Sequence, residues 1–557
     1  MSNYKLLFMA DTIIDPIKRF LSDTTTESGI EAFIAPYNQI YQLLLNDSHP
    51  VWQDEMDILV IWSTPQRVVP LFDKLYNNEE VFVEDILQEV EQFSDLITKA
   101  SKRVKSIFVI SWSLPPHLRW NQSMAYKNDI GLTNVLMQMN LLLSRRLSMH
   151  QNIIMLDSQY WYSAIQNRSF DPKLYAVGKI NYTRDFFEFA AEEIRAAVTS
   201  IYGQTKKLII CDLDNTLWGG VIGDDGMNNI LLGGIDPIGE SFVLFQKELK
   251  RLKNRGVLLA ISSKNNESIG MEMIENHPEM ILRKNDFAHY QINWNDKVDN
   301  IARIVKDLNI GLHSVVFLDD NPIERDQVRH AFPEIFTPDL PKDITHYPSF
   351  LSSLKCFDTL KITREDRERT GFYQIESQRK HLLQEAGSKE KWLKSLGILV
   401  STDFINKNNL QRAVQLLNKT NQFNMATNRY LEDEFWEFSK SPLNKVYVFH
   451  VSDKFGDSGL TGLISIRMDK GQLEIVDFVM SCRVMGKGIE DAMLSSVVSH
   501  VSKNSDIQTI KAIYKPTAQN QPFYDYISSK YNDKTRYTVE MSELNKPNHI
   551  TIIQGWD

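Results

Sequence analysis

Cysteine is scarce: Cys211, Cys356 and Cys482 are the only three in 557 residues. So thin a scatter supports neither a disulfide framework nor a clustered thiolate metal site, and it fits thiols kept reduced. Also missing is any run of about 18 apolar residues, the length a membrane-crossing helix requires. The opening MSNYKLLFMADTII has too short an apolar run and too early an acid to read as a signal peptide. Positive charge is in deficit, with 62 Lys and Arg against 71 Asp and Glu and a formal net charge of −9. A general nucleic-acid binder needs the opposite balance to displace counterions from phosphates. Internal repeats and low-complexity tracts are absent as well. Together these gaps predict a cytoplasmic protein with neither nucleic acid nor membrane as a partner.

What is present is alternation. The length is too great for one core and suggests three or four units. Apolar stretches YKLLFMA, DILVIWS, SIFVISWS and NIIMLDS alternate with helical patterns such as VFVEDILQEVEQFSDLITKAS, which predicts βαβ units on a parallel sheet over residues 1–203. Its last helix is expected to open at Thr183, whose hydroxyl can cap it, and to stop at Gly203. A second alternation, KLIICDLD, GESFVLFQKELKRLKNRG, VLLAISS, KVDNIARIVKDLNI and SVVFLDD, fills 204–358. Residues 359–396 carry charges at helical spacing with a Thr363/Asp366 capping pair, and predict a solvated connecting helix. From 397 to 557, KVYVFHVSD, GLISIRM, LEIVDFVMS and TIKAIYK follow one another closely enough to predict an antiparallel α+β domain.

Open parallel sheets bind ligands at the carboxyl ends of their strands. Asp212 and Asp214 stand at such an end in CDLDNTLWGG, Ser262 and Ser263 at a second, and Asp319 and Asp320 at a third, with Lys297 opening the helix that leads to the third. Two carboxylates about 4 Å apart repel by roughly 4 kcal/mol at an effective dielectric near 20, so the set calls for a counter-ion. Oxygen ligands without histidine or cysteine suit Mg²⁺.

DLDNT, SS, Lys297 and DD in that order resemble the four motifs of the haloacid-dehalogenase (HAD) superfamily of phosphotransferases. The resemblance implies that Asp212 is the nucleophile toward phosphorus and Asp214 the general acid and base. Ser263, in preference to Ser262, would hold the phosphoryl oxygens with Lys297. Mg²⁺ would take the Asp212 carboxylate, the Asp214 main-chain carbonyl and Asp319, with Asp320 supporting. Neither insert between motifs is long enough for a large cap domain. DLDNTLWGGVIGDDG, SSKNN, INWNDKVDNI, FLDDNPIER, NKTNQFN and SCRVMGKGIE together are similar to the FkbH-like branch of that superfamily. Its members are associated with taking a three-carbon unit from 1,3-bisphosphoglycerate to the phosphopantetheine of an acyl carrier protein, in natural-product or surface-polysaccharide assembly. Several have cysteine between the two motif acids; this chain has Leu213. Cys211 is expected in the core and Cys482 in a buried strand, the latter also being a conceivable substitute thiol.

RVMGKG, Arg483, Val484, Met485, Gly486, Lys487 and Gly488, follows a strand and opens the helix IEDAMLSSVVSHV. Such a turn offers backbone N–H groups to an anion, although it can equally be structural. Its R-x-x-G-x-G spacing resembles the pyrophosphate loop of GCN5-related (GNAT) acetyltransferases, implying phosphopantetheine or coenzyme A as the acyl carrier. Tyr524 then matches the residue that protonates a departing thiolate, or is simply packed beside Phe523. NKTNQFN reads as an exposed polar run near the acceptor, or as a helix-ending loop. The first domain resembles a degenerate SGNH hydrolase with a flavodoxin-like sheet: Asp11 and Thr12 stand at the serine position, and no D-x-x-H histidine follows. The fold class expected is α/β: an SGNH/flavodoxin-like parallel sheet, a HAD Rossmannoid domain without a large cap, and a GNAT-like α+β domain. The function expected is phosphatase and glyceryl transfer from a small phosphorylated three-carbon acid to an acyl carrier protein. The alternatives are an amino-sugar N-acyltransferase using acyl coenzyme A and a non-enzymatic scaffold.

Overall fold

A computed structural model describes residues 3–22, 29–375, 379, 388–469, 472–504, 509–517, 519–529, 536–540 and 547–555. The chain divides into two compact units, Met1–Val198 and Thr199–Asp557.

In the first unit the apolar runs become β1 (Asn3–Ala10), β2 (Gly29–Ile34), β3 (Ile58–Trp62), β4 (Ser106–Ile110) and β5 (Ile153–Leu156). All pair in parallel in the order β2-β1-β3-β4-β5, the flavodoxin-like order. Strands β3 and β4 are buried along their whole length, as strands covered on both faces must be. One cover is the helix pair Val83–Ala100 and Leu132–Leu147, whose Ile86, Val90, Phe93 and Ile97 share a core with Val135, Met139 and Leu143. The helix Arg184–Ile201 starts where Thr183 Oγ1 accepts from the Phe186 amide at 3.4 Å.

The second unit holds two sheets. Strands β6 (Leu208–Cys211), β7 (Leu258–Ser263), β8 (Phe287–Ile292) and β9 (Val315–Leu318) are parallel in the order β8-β7-β6-β9. Alternate side chains of β6 enter two cores, Ile209 and Cys211 one, Leu208 and Ile210 the other. The helix Lys297–Leu308 covers the second core with Ile301, Ile304 and Leu308. The other sheet comprises β10 (Ile398–Phe404), β11 (Asn444–Asp453), β12 (Gly456–Asp469), β13 (Gln472–Met480), β14 (Thr509–Ile513), β15 (Arg536–Glu540) and β16 (Ile550–Gln554), ordered β15-β14-β13-β12-β11-β10-β16.

Three expectations change here. The last sheet is mixed rather than antiparallel: β10 to β13 form the expected meander, but β13 pairs with β14, and β10 with β16, in parallel. The segment after residue 359 is not simply solvated. Its capping box at Thr363 and Asp366 is present, yet Asp366, Thr370 and Tyr373 are buried, because Asp366 serves Arg369 and Lys419 as a counter-ion. Residues 376–378 and 380–387 of that segment lie outside the described residues. Cys482 is not in a strand: β13 ends at Met480, and Cys482 begins a half-buried 3-10 turn 3.5 Å from the Tyr373 hydroxyl. Among the described residues no helix is long and apolar enough to cross a membrane.

Candidate functional site

Register places the motif residues together. Cys211 lies opposite Ile261 on one side and Leu318 on the other. The next residue of each strand is therefore Asp212, Ser262 or Asp319, all at one carboxyl edge. Asp212 and Asp319 are buried, 7% and 0% exposed. Lys297, the first residue of its helix and 3% exposed, reaches into the same edge. Its Nζ lies 2.9 Å from Asp212 Oδ2 and also hydrogen-bonds Asp319 Oδ2. Burial disfavours the Lys297 ammonium, but the charges of Asp212 and Asp319 outweigh that and raise its pKa. Burial, and then the Asp212 charge, raise the Asp319 carboxyl.

Asp212, Asp319 and Asp320 each offer an oxygen within 4.8 Å of the others. The Asp212 Oδ1 atom is buried and makes no hydrogen bond. An orphaned carboxylate oxygen is expensive unless a cation completes it, so this all-oxygen donor set fits a hard divalent ion such as Mg²⁺. Asp320, expected only in support, belongs to the cluster itself. The Asp320 amide donates to Thr216 Oγ1 at 3.2 Å.

Asp214 is held differently. Its Oδ1 accepts from the Trp218 indole at 2.8 Å and the Ile222 amide at 3.1 Å, and its Oδ2 from Asn265 Nδ2 at 2.9 Å. Burial raises its pKa against the lowering effect of the Ile222 and Trp218 donors. The glycine pair gives the chain its exit. Gly220 adopts φ 101° with its amide on Asn215 Oδ1, and a Cβ on Gly219 would come within 2.9 Å of Phe242. The insert that follows is a short helix, Ile222–Asp225, a 3-10 turn and a bridge between Gly219 and Leu231. Ser263 ends β7 and is 1% exposed. Its neighbour Ser262 is the serine whose hydroxyl is buried without a partner. Sequence reasoning left Asn265, Trp218 and Arg325 without roles. Arg325 Nη1 donates to the main-chain oxygens of Asp319 at 2.7 Å and Asp320 at 2.8 Å, fixing the acid pair from behind.

A structure of the N-terminal part of the protein BF1531 from Bacteroides fragilis, containing a phosphatase domain complexed with Mg, is 30% identical to this chain. The match covers 65% of this chain and 95% of that one at a TM-score of 0.59. The chain belongs to the family of that HAD-like phosphatase domain. Strand register gathers Asp212, Ser262 and Asp319 at one edge of its central sheet. Two other solved structures match over less. The ribosomal-protein-S18-alanine N-acetyltransferase from Escherichia coli is 11% identical over 24% of this chain and 79% of that one, TM-score 0.19. The spermidine N-acetyltransferase from Vibrio cholerae, in complex with CoA and spermine, is 12% identical over 26% and 97%, TM-score 0.20. Scores this low support no conclusion about the C-terminal sheet. No family model matches the sequence, and no curated protein does.

The loop from Arg483 to Gly488 follows β13. Its Val484 and Met485 amides are taken by the Ser481 carbonyl at 3.2 Å and the Cys482 carbonyl at 3.4 Å. Gly486 and Gly488 adopt φ 77° and 78°. Lys487 is buried, and its carbonyl accepts from His549 at 2.7 Å. Arg483 lies over the Phe372 ring, 4.8 Å from its centroid. Tyr524 is half-buried with its ring 5.8 Å from that of Tyr514. NKTNQFN is not an exposed run. Phe423 belongs to the apolar core, and Asn421 and Asn424 are buried because their amides are used inside: Asn424 Nδ2 donates to the Thr420 carbonyl at 3.0 Å, and its Oδ1 accepts from the Thr427 amide at 2.8 Å.

Proposed function

We propose that this protein is a magnesium-dependent phosphotransferase acting on a small phosphorylated three-carbon acid of the 1,3-bisphosphoglycerate kind. Its acyl group passes to the pantetheine thiol of an acyl carrier protein at the C-terminal sheet. The observation that carries the phosphotransferase reading is the unpartnered, buried Asp212 Oδ1 beside Lys297, with Asp319 and Asp320 oxygens within 4.8 Å.

Asp212 attacks the ester phosphorus and the bond from phosphorus to the sugar-acid oxygen breaks. Asp214, whose carboxyl is raised by burial, gives its proton to that oxygen and then takes one from the water that hydrolyses the aspartyl phosphate. Asn265, Trp218 and the Ile222 amide hold Asp214 in place for both transfers. Lys297 and Ser263 bind the phosphoryl oxygens. Asp212, Asp319, Asp320 and the Asp214 carbonyl would hold Mg²⁺, which would supply charge neutralisation at the phosphoryl group. The acyl step is separate chemistry at carbon: the pantetheine thiol attacks the acyl-phosphate carbonyl and inorganic phosphate leaves. The amides of Gly486 to Gly488 at the start of the helix Ile489–Asn504 suit the phosphate of the arm, with Arg483 at the edge of that turn and Tyr524 on the helix Gln521–Ser528.

The test incubates the protein with Mg²⁺, 1,3-bisphosphoglycerate and carrier protein and weighs the carrier by mass spectrometry. A glyceryl mass shift is expected. Acylation of an amino sugar from acyl coenzyme A without carrier loading would replace this reading with an N-acyltransferase beside a separate phosphatase. Asp212→Asn is expected to abolish phosphate release while leaving the protein folded, and retained turnover would take Asp212 out of its role.

A further inference from the structure

A cavity of about 90 Å³ lies in the unit Thr199–Asp557 and is walled by Lys207 just before β6, Leu258 of β7, the segment after residue 363, the helix Leu410–Lys419 and the turn at Cys482. None of the motif aspartates and none of the residues from Val484 to Gly488 lines it. Its wall carries Lys207, Arg369, Arg412, Lys419 and Arg483 against one lining carboxylate, Glu365. Asp366, immediately behind, pairs with Arg369 at 2.6 Å and Lys419 at 3.1 Å. Five cations against two carboxylates leave a surplus of three positive charges.

The surplus sits on identifiable groups. Lys207, Arg412 and Arg483 pair with no carboxylate among the described residues. Lys207 Nζ donates to the Lys419 carbonyl at 2.9 Å, Arg412 to the Leu460 carbonyl at 3.4 Å and to Gln415 Oε1, and Arg483 Nε to Ser481 Oγ at 3.2 Å. Each spends its hydrogen bonds on neutral oxygens, and Glu365 offsets only part of the charge on Arg412 and Arg483. The consequence shows in their acidity: burial first, then the neighbouring cations, push Lys207 down to about 8 and Arg412 down to about 10. His313 on the same wall is pushed down to about 4 by burial and by Lys207 and Lys206, so it adds no further positive charge near neutrality. Surplus cations around a buried cavity of this size are costly unless an anion joins them. Guanidinium forks with a lysine are the groups that match a tetrahedral oxyanion.

We propose that this cavity binds a small tetrahedral oxyanion, a phosphate or the phosphate end of a small ester, which joins Lys207, just before β6, to Arg412 on the helix Leu410–Lys419 and Arg483 in the turn after β13. The site shares only Arg483 with the turn assigned above to the carrier arm, and its test does not use activity. Scanning calorimetry of the full chain in EDTA, with potassium phosphate replacing chloride at constant ionic strength, reads it directly. The transition of the second unit is expected to rise saturably, by about 4 °C at a hundredfold excess over the dissociation constant. Glycerol phosphate in place of phosphate distinguishes an ester from the free ion, and stronger binding of either supports the site. Arg412→Gln and Lys207→Gln should each remove most of the shift. Exposed Lys247→Gln should keep it. Both cavity variants relieve crowded charge, so neither is expected to lose its fold. No saturable rise over chloride in the unaltered protein, or a full rise retained in both cavity variants, overturns the proposal.

Discussion

Replacing Lys297 by methionine keeps most of its volume and removes its charge from between two carboxylates. In the intact protein its side chain is 4% exposed and bonded to Asp212 and Asp319. Without the ammonium, like charges within 4.8 Å remain. At that separation they repel by about 3.5 kcal/mol at an effective dielectric of 20. Protonation of Asp319, already favoured by its burial and by Asp212, relieves part of this. The net cost is about 3 kcal/mol, at the low end for breaking a buried pair. For a unit of roughly 360 residues that amounts to about 4 °C in melting temperature. A divalent cation replaces the missing charge, so Mg²⁺ should raise the midpoint of Lys297→Met more than that of the unaltered protein. Calorimetry with EDTA and then with Mg²⁺ measures both quantities, and phosphate release should fall at least about a hundredfold. A variant melting within about 1 °C of the parent in EDTA, or an equal response of the two to Mg²⁺, would refute the electrostatic account.

Ser263→Ala should raise KM for the phosphorylated substrate about tenfold with Ser262→Ala nearly silent; the reverse order in steady-state kinetics would move phosphate binding to the unpartnered hydroxyl of Ser262. Burial alone would raise the Asp366 carboxyl, but Arg369, Lys419 and the Thr363 amide outweigh it and hold it well below the usual range. Its contribution is therefore present above pH ~4 and lost as pH falls further, and Asp366→Asn should cost about 3 kcal/mol at neutral pH in urea unfolding and flatten that acid limb. Asp11, 3% exposed, is raised to about 6 by burial against hydrogen bonds from Thr64. The folded first unit then holds a proton that the unfolded chain has released, so its stability falls as pH rises from ~4 through ~6. Asp11→Asn should melt higher than the parent near neutral pH and equal to it near pH 4, and equal midpoints throughout would contradict the shift.

How much of this was legible depended on whether a residue's task is local. The strand β6 could be read because an apolar run buried on both faces ends abruptly on acids, and Lys297 because it opens a strongly amphipathic helix. FAHYQI, now β8, gave no such signal: His289, Tyr290 and Gln291 are half-buried residues of an edge strand. The parallel pairing of Ile398 with Ile550 joins residues too far apart for any local pattern to announce. In the site, carboxylates at strand ends were visible as a set, whereas Arg325 and Asn265 act on main-chain oxygens and on another side chain. Their composition looks like any polar loop. NKTNQFN shows the same limit from the other side, since polar residues read as exposed when their amides are in fact spent on buried carbonyls.

Strand geometry also bears on the acyl step. Residue 213 lies between the two motif acids, and its side chain turns the opposite way from theirs. Leu213 is 0% exposed and belongs to the core shared with Ile292 and Met273. A Cβ added at Gly270 would stand 3.2 Å from its Cδ1. A thiol at 213 would be walled off from the edge where Asp212, Asp319 and Lys297 meet, unless the segment after β6 rotated and gave up the bonds that hold Asp214. In this backbone, then, leucine at 213 fills the core and gives up no accessible nucleophile. Cys211 is buried in the same core, with burial raising its thiol. If an acyl group leaves this edge, the nucleophile that takes it must come from outside the phosphatase strands. A carrier-borne thiol meets that demand, which is why loading of the carrier, rather than labelling of the enzyme, is the measurement that decides the reaction.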